Sequence, residues 1–121
     1  MSIEGLWKVG EINALDSDFN QAWRSVEGLD ADEGVPPMQK AMARVKFLFE
    51  QGGRYLQLLP KDLGPGEGYD DDHVIGRVGS WKTEDGKVFV DTEENGEQAW
   101  TEAVPVGDGF EVFGFFRLVR A

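Results

Sequence analysis

The segment at residues 78–91 reads VGSWKTEDGKVFVD. Strand-forming residues lie on both sides of Asp85 and Gly86, and an Asp-Gly pair suits the two-residue turns in which both central residues take a positive φ. Two such runs joined by so short a turn predict an antiparallel β-hairpin. The hairpin indicates a fold built from short strands that follow one another along the chain.

The same type of pattern continues on both sides of this hairpin. Val45, Phe47 and Phe49 alternate with other residues, as a strand with one buried side requires. The 16 glycines of the chain are about twice the average frequency and favour many tight turns. Further strands are predicted over residues 6–12, 45–49, 55–59, 97–106 and 110–120, with turns at 92–96 and 107–109.

Three segments depart from the strand pattern. Residues 36–43 begin with prolines and place Met38, Ala41 and Met42 at helical spacing, so they predict a short amphipathic helix. Residues 19–25 are compatible with either a strand or a helix. Residues 60–72 combine glycines, prolines and acids, which is typical of an irregular exposed loop.

Seven or eight short strands must protect their outer edges, and sheets of this size do so by closing into a barrel or folding into a sandwich. The 121 residues fit one domain of common size. We therefore predict a single all-β domain over residues 1–121, an antiparallel up-and-down barrel of about eight strands with one short helix after the first strand.

The composition excludes several classes of function. The 23 acidic and 12 basic residues give a net charge of −11, which repels nucleic acid and anionic membrane surfaces. The absence of cysteine removes disulfides and thiolate chemistry, and the single histidine, His73, removes most zinc enzymes. We predict no metal and no cofactor. The first residues carry no basic and apolar leader pattern, so a cytoplasmic protein is the expectation.

The start and end of the chain carry a further pattern. Gly5-Leu6-Trp7 opens the first strand, and residues 115–120, FFRLVR, form the last one. The pair resembles the calycin superfamily, which includes lipocalins and fatty-acid-binding proteins, where a Gly-x-Trp packs beneath an arginine of the final strand. The resemblance implies that Gly5, Trp7 and Arg120 close one end of the barrel, with Arg117 or Arg120 stacked on the indole.

The calycin-like layout favours non-enzymatic binding of a small apolar or amphipathic ligand. Arg117, on one strand face with Phe113, Phe115 and Val119, is predicted to point inward and orient a polar or anionic end of the ligand. Met38 and Met42 of the helix would form an apolar lid over such a site, although a Met pair at this spacing more often packs in the core. The predicted lining consists of Arg117 with Phe47, Phe49, Tyr55, Trp81, Phe89, Trp100, Phe113 and Phe115.

Two other hypotheses about the function stay open on the sequence alone. In the first, the aromatic residues fill the interior and the barrel acts through its surface as a protein-interaction module, with a second copy of the chain as a possible partner. The other is an enzyme that uses internal carboxylates such as Glu11 and Glu102.

The acidic run before His73 is expected to be solvated, with His73 exposed. Residues 91–102 nearly match a calcium-binding loop but are flanked by predicted strands, so a solvated turn is expected there.

Overall fold

The computed structural model describes residues 3–15, 21–91 and 96–121. The predicted turn at 92–96 therefore lies, except for Gly96, outside the described residues, as do residues 92–95 of the calcium-like segment. The elements are β1 Gly5–Leu15, β2 Gln21–Ser25, α1 Val26–Ala31, α2 Pro37–Met42, β3 Lys46–Glu50, β4 Arg54–Pro60, a 3-10 helix at Lys61–Leu63, β5 Glu67–Gly68, β6 His73–Glu84, β7 Lys87–Asp91, β8 Trp100–Val106, β9 Gly109–Val112 and β10 Phe116–Arg120.

Eight of the described strands form a closed antiparallel barrel, which confirms the predicted fold class. Their order around the barrel is β1, β3, β4, β6, β7, β8, β9 and β10, and β10 pairs with β1 to close the ring. β2 lies outside this ring, paired with the second half of β1, and the two-residue β5 pairs with β6. Closure removes the open edges that an eight-stranded sheet would otherwise expose.

The predicted Asp-Gly hairpin is confirmed between β6 and β7. Glu84 faces Lys87 across the turn, and Asp85 and Gly86 have φ values of 53° and 78°. A positive φ at both central positions matches the right-handed twist of the flanking strands. This short turn therefore fixes the register of the β6–β7 pair.

The helical insertion contains two short helices instead of the single predicted one. α2 corresponds to the helix predicted at residues 36–43, whereas α1 is additional and begins at Ser25, whose hydroxyl accepts a hydrogen bond from the Gly28 amide at 3.1 Å. Leu29 of α1 is fully buried in the barrel core, while Met38 of α2 is 61% exposed. Met38 therefore does not serve as part of an apolar lid, and Met42 packs against the core.

The predicted final strand is two strands separated by a turn. Phe113 and Gly114 both have positive φ, at 59° and 65°, and the chain reverses between β9 and β10. Phe116 and Leu118 are buried members of the core. The even-numbered residues of β10 therefore face inward, which places Arg117 on the outer side of the barrel.

Inward-facing side chains of the strands and α1 form one continuous apolar core. Its largest fully buried members are the aromatic residues Trp7, Phe47, Phe49 and Tyr55. Among the described residues, no helix has the length and apolar character needed to cross a membrane.

Candidate functional site

The first and last strands meet at one end of the barrel around Trp7. The indole is fully buried and its N–H donates to the carbonyl of Ile3 at 2.6 Å. The guanidinium carbon of Arg120 lies 4.1 Å from the centroid of the indole ring, and its Nη1 donates to the carbonyl of Glu4. Gly5, with φ of 116°, leaves the space for this guanidinium, since a Cβ there would lie 2.6 Å from Nη1. Arg120, and not Arg117, is thus the arginine on Trp7.

Arg117 lies on the outside of the barrel, so its predicted inward position is wrong. Its guanidinium carbon lies 4.0 Å from the ring centroid of Trp23 on β2, and its nitrogens lie 3.6 Å from Glu11 and 3.4 Å from Glu111. The side chain is 30% exposed. Two carboxylates and an aromatic face already partner this cation, and it cannot orient a ligand inside the barrel.

Four of the predicted lining residues occupy the interior together, and their rings contact one another. The ring centroid of Phe47 lies 6.3 Å from that of Phe49 and 5.9 Å from that of Phe113, and Phe49 lies 5.7 Å from Tyr55. The Tyr55 hydroxyl donates to the Asp91 carbonyl at 2.8 Å, so the polar tip of this buried ring is also satisfied. These rings occupy the space in which the sequence placed a ligand.

The other predicted lining residues lie nearer the surface. Trp81 is partly buried, and its N–H donates to the Glu50 carbonyl at 2.9 Å. Phe115 packs edge-to-face on Phe116 with ring centroids 4.7 Å apart. Trp100 lies on the outer face of β8, where the Lys82 ammonium is 4.5 Å from its ring centroid, so its predicted place in the lining is wrong.

Phe89 also lies on the outer face of the barrel. The pairing register of β7 with β8 shows this, and it also places Glu102 of the predicted carboxylate pair. Val88 faces Ala103 in the buried core, and Phe89 is therefore opposite Glu102 on the outer face. Glu11 also points outward, toward Arg117. The prediction of an internal Glu11 and Glu102 pair is wrong, because both carboxylates lie on the solvent side of the sheet.

A concave feature lies beside β1, and we call it the β1 groove. On the side of β1 that faces away from β10, the pairing with β3 ends at Lys8 and the pairing with β2 begins at Glu11. Within the described parts of the chain, Val9 and Gly10 therefore have no strand partner on that side. The groove has a volume of about 860 Å³. Its lining comes from β1, the helical insertion, the start of β3, the segments at residues 60–62 and 71–73, and Val119 of β10.

The lining of the β1 groove has an apolar floor and charged walls. Val9, Ala43 and Val45 are buried members of the barrel core that reach the groove. The apolar lining is completed by Val26, Pro60 and Val119, and the charged lining consists of Lys8, Glu27, Arg44, Lys46, Lys61, Asp62, Asp71, Asp72 and His73. An apolar surface bordered by separate positive and negative groups suits an amphipathic molecule.

His73 anchors the loop wall of this groove, and the prediction that it is exposed is wrong. The side chain is only about one-tenth exposed. Its Nδ1 lies 3.1 Å from Asp70 Oδ1, and its Nε2 lies 3.1 Å from the carbonyl oxygen of Arg44. Both ring nitrogens therefore lie within hydrogen-bonding distance of protein oxygens. Among the residues that the structure describes, no three carboxylate or imidazole groups come together to hold a metal ion.

Asp70 closes the turn that leads into His73, and its ionised form is stabilised there. The backbone amide of Asp72, with a smaller contribution from His73, holds the pKa of the Asp70 carboxyl below its ordinary value. The pKa of Asp70 is thus lower in the folded protein than in the unfolded chain. Ionised Asp70 therefore adds to the free energy of unfolding, fully above the unfolded pKa, and this stabilisation is lost as the pH falls through the folded pKa.

We therefore expect Asp70→Asn to lower the melting temperature at neutral pH, and the difference from the wild type to narrow below about pH 4. Thermal unfolding followed by circular dichroism between about pH 7 and about pH 3 measures both. Asp71→Asn removes the same formal charge one residue away and is the control. A wild-type to Asp70→Asn difference that stays constant over this pH range contradicts the expectation.

Sequence reasoning misses the β1 groove because its walls come from segments that are far apart in the chain. The local sequence does contain one relevant feature, the Ser25 cap of α1, which carries Val26 and Glu27 to the groove. Comparison of the chain with protein-family models, with curated proteins and with solved structures finds no match.

Proposed function

We propose that this protein is a calycin-like barrel that binds a small, partly apolar molecule without transforming it, and that the β1 groove is the binding site. The observation that carries the proposal is a concavity of about 860 Å³ whose floor is continuous with the barrel core. Sites for small molecules commonly have volumes of about 300 to 1,000 Å³ and a mainly apolar lining. The groove has the volume of such a site, and it combines an apolar floor with charged walls.

The packing of the interior supports an external site over an internal one. Phe47, Phe49 and Tyr55 are at most 2% exposed and contact one another. A ligand inside the barrel would have to displace these rings, and emptying a packed core costs several kcal/mol. A ligand in the β1 groove needs no such displacement, because the groove is open in the folded protein.

The unpaired edge of β1 adds polar recognition to the apolar floor. Val9 and Gly10 lie between the end of the β3 pairing and the start of the β2 pairing. Backbone amides and carbonyls at such a position are available to a ligand, and they are among the groups that orient small molecules in otherwise apolar sites.

The proposal predicts that a bulky side chain in the groove weakens ligand binding without unfolding the protein. Val119 lines the groove and is 40% exposed, so Val119→Trp adds an indole over the floor without entering the core. Val104 is 43% exposed on β8 and does not line the groove, so Val104→Trp is the matched control. With N-phenylnaphthylamine as a neutral fluorescent probe, we expect about tenfold weaker binding for Val119→Trp, because roughly 1.4 kcal/mol of apolar contact is lost.

Binding that survives in Val119→Trp, or that Val104→Trp weakens equally, contradicts the groove as the site. Native mass spectrometry of the protein purified from its own cells provides an independent measurement, since a retained small molecule adds a defined mass. If neither a retained molecule nor probe binding is found, the proposal fails. A filled barrel that acts through its outer surface is then the favoured function.

A further inference from the structure

We infer that the β1 groove selects an organic anion, with the anionic group held between Lys8 and Lys46 and the apolar body beside Val119; this rests on the proposed function. The inference starts from the register of β1 and β3, in which Lys8 and Lys46 are directly opposite each other. Side chains at such positions have Cβ atoms about 4.5 to 5.5 Å apart, and like charges there repel.

The described residues do not neutralise either lysine, since no ion pair among them joins Lys8, Lys46 or Lys61 to a carboxylate. Arg44, the remaining cation with a long side chain in the groove, is bonded to Asp30 at 3.0 Å and to the Lys40 carbonyl at 2.7 Å. Within the described residues, the strand side of the groove therefore holds two adjacent lysines without a bonded carboxylate.

Lys46 lies between two neighbouring strands of the barrel. It is only partly exposed, with Lys8 opposite it on β1 and Leu58 opposite it on β4. An anion placed between the two lysines supplies acceptors to both ammonium groups and removes their repulsion.

The acidic residues of the groove lie on the other walls. Asp62, Asp71 and Asp72 belong to the loop segments and Glu27 to α1, and all four are exposed. Water screens charges at such positions, so their repulsion of an anion on the strand side is weak. The two lysines therefore set the charge on the strand side of the groove, where the anionic group is placed.

Two probes with the same aromatic body separate this inference from the proposed function. Anilinonaphthalene sulfonate carries a sulfonate, and N-phenylnaphthylamine does not. We expect Lys8→Gln and Lys46→Gln each to weaken sulfonate binding about fivefold more than they weaken binding of the neutral probe. Lys87→Gln makes the same change in net charge on the distant β6–β7 hairpin and is expected to affect neither probe.

The probe-free protein gives a second measurement. Removing one of two opposed cations is expected to raise the melting temperature in Lys8→Gln, whereas Lys87→Gln should not raise it. Unchanged sulfonate affinity in both groove variants, or an equal loss in Lys87→Gln, overturns the anion inference. If Val119→Trp still weakens the neutral probe in that case, the proposed function stands; if Val119→Trp affects neither probe, both fail.

Discussion

Trp7→Ala is expected to lower the free energy of unfolding by about 3 to 5 kcal/mol, the range for removing a large aromatic side chain from a packed core. Trp7 is fully buried, and its ring meets that of Phe110 edge-on at a centroid distance of 5.4 Å. The substitution also leaves the Ile3 carbonyl without its indole donor and Arg120 without its aromatic platform. Urea unfolding followed by far-UV circular dichroism measures the change.

Trp23→Ala is the matched control for this prediction. Trp23 also stacks under an arginine, Arg117, at 4.0 Å, but it is only half-buried and lies outside the ring of barrel strands. We expect a loss of about 1 kcal/mol there, since a cation–π contact at an exposed site is worth about 0.5 to 1 kcal/mol. If Trp7→Ala costs no more than Trp23→Ala, the contacts of Trp7 do not close the barrel.

The sequence predicts the barrel well because its decisive features are local. The Asp85-Gly86 turn and the alternation of Val45, Phe47 and Phe49 each fix a pair of strands through neighbours in the chain. The Gly5-Leu6-Trp7 motif is also short, and the structure places Arg120 beside it. Features of this type depend on backbone geometry within a few residues, and the sequence displays them directly.

The direction of the side chains on β10 could not be predicted in the same way. Residues 110–120 are apolar at both odd and even positions, so alternation does not identify the inward face. The turn that divides the segment places Phe113 at a φ of 59°, a conformation that is uncommon for residues other than glycine. A Phe-Gly pair is not among the usual hairpin turn sequences, and the predicted strand ran through it, which left Arg117 on the wrong face.

The β1 groove and the burial of His73 depend on contacts between distant segments. The ring of His73 is held by Asp70 on one side and by the carbonyl of Arg44, 29 residues earlier, on the other. The acidic run around His73 favours an exposed loop when it is considered alone. Only the packing of that loop against the start of β3 makes it a wall of the groove.

Gly109→Ala is expected to cost about 3 kcal/mol of stability, near the upper end of the range for overpacking a core. Gly109 begins β9 and is buried, and a Cβ there would lie 1.8 Å from the carbonyl oxygen of Leu118 and 3.0 Å from its carbonyl carbon. Leu118 pairs with Phe110 on one side and with Val9 of β1 on the other. The added methyl group therefore pushes the backbone of the strand that closes the barrel.

Gly68→Ala separates this steric effect from the general effect of replacing glycine. Gly68 lies in β5, and a Cβ there would have no neighbour within 4 Å. Because alanine restricts the unfolded chain more than glycine does, this control is expected to be neutral or stabilising by up to about 1 kcal/mol. Urea unfolding of both variants measures the difference. A Gly109→Ala protein as stable as Gly68→Ala would mean that β10 can move away from β9 at little cost, and the barrel would then lack a tightly fixed closing strand.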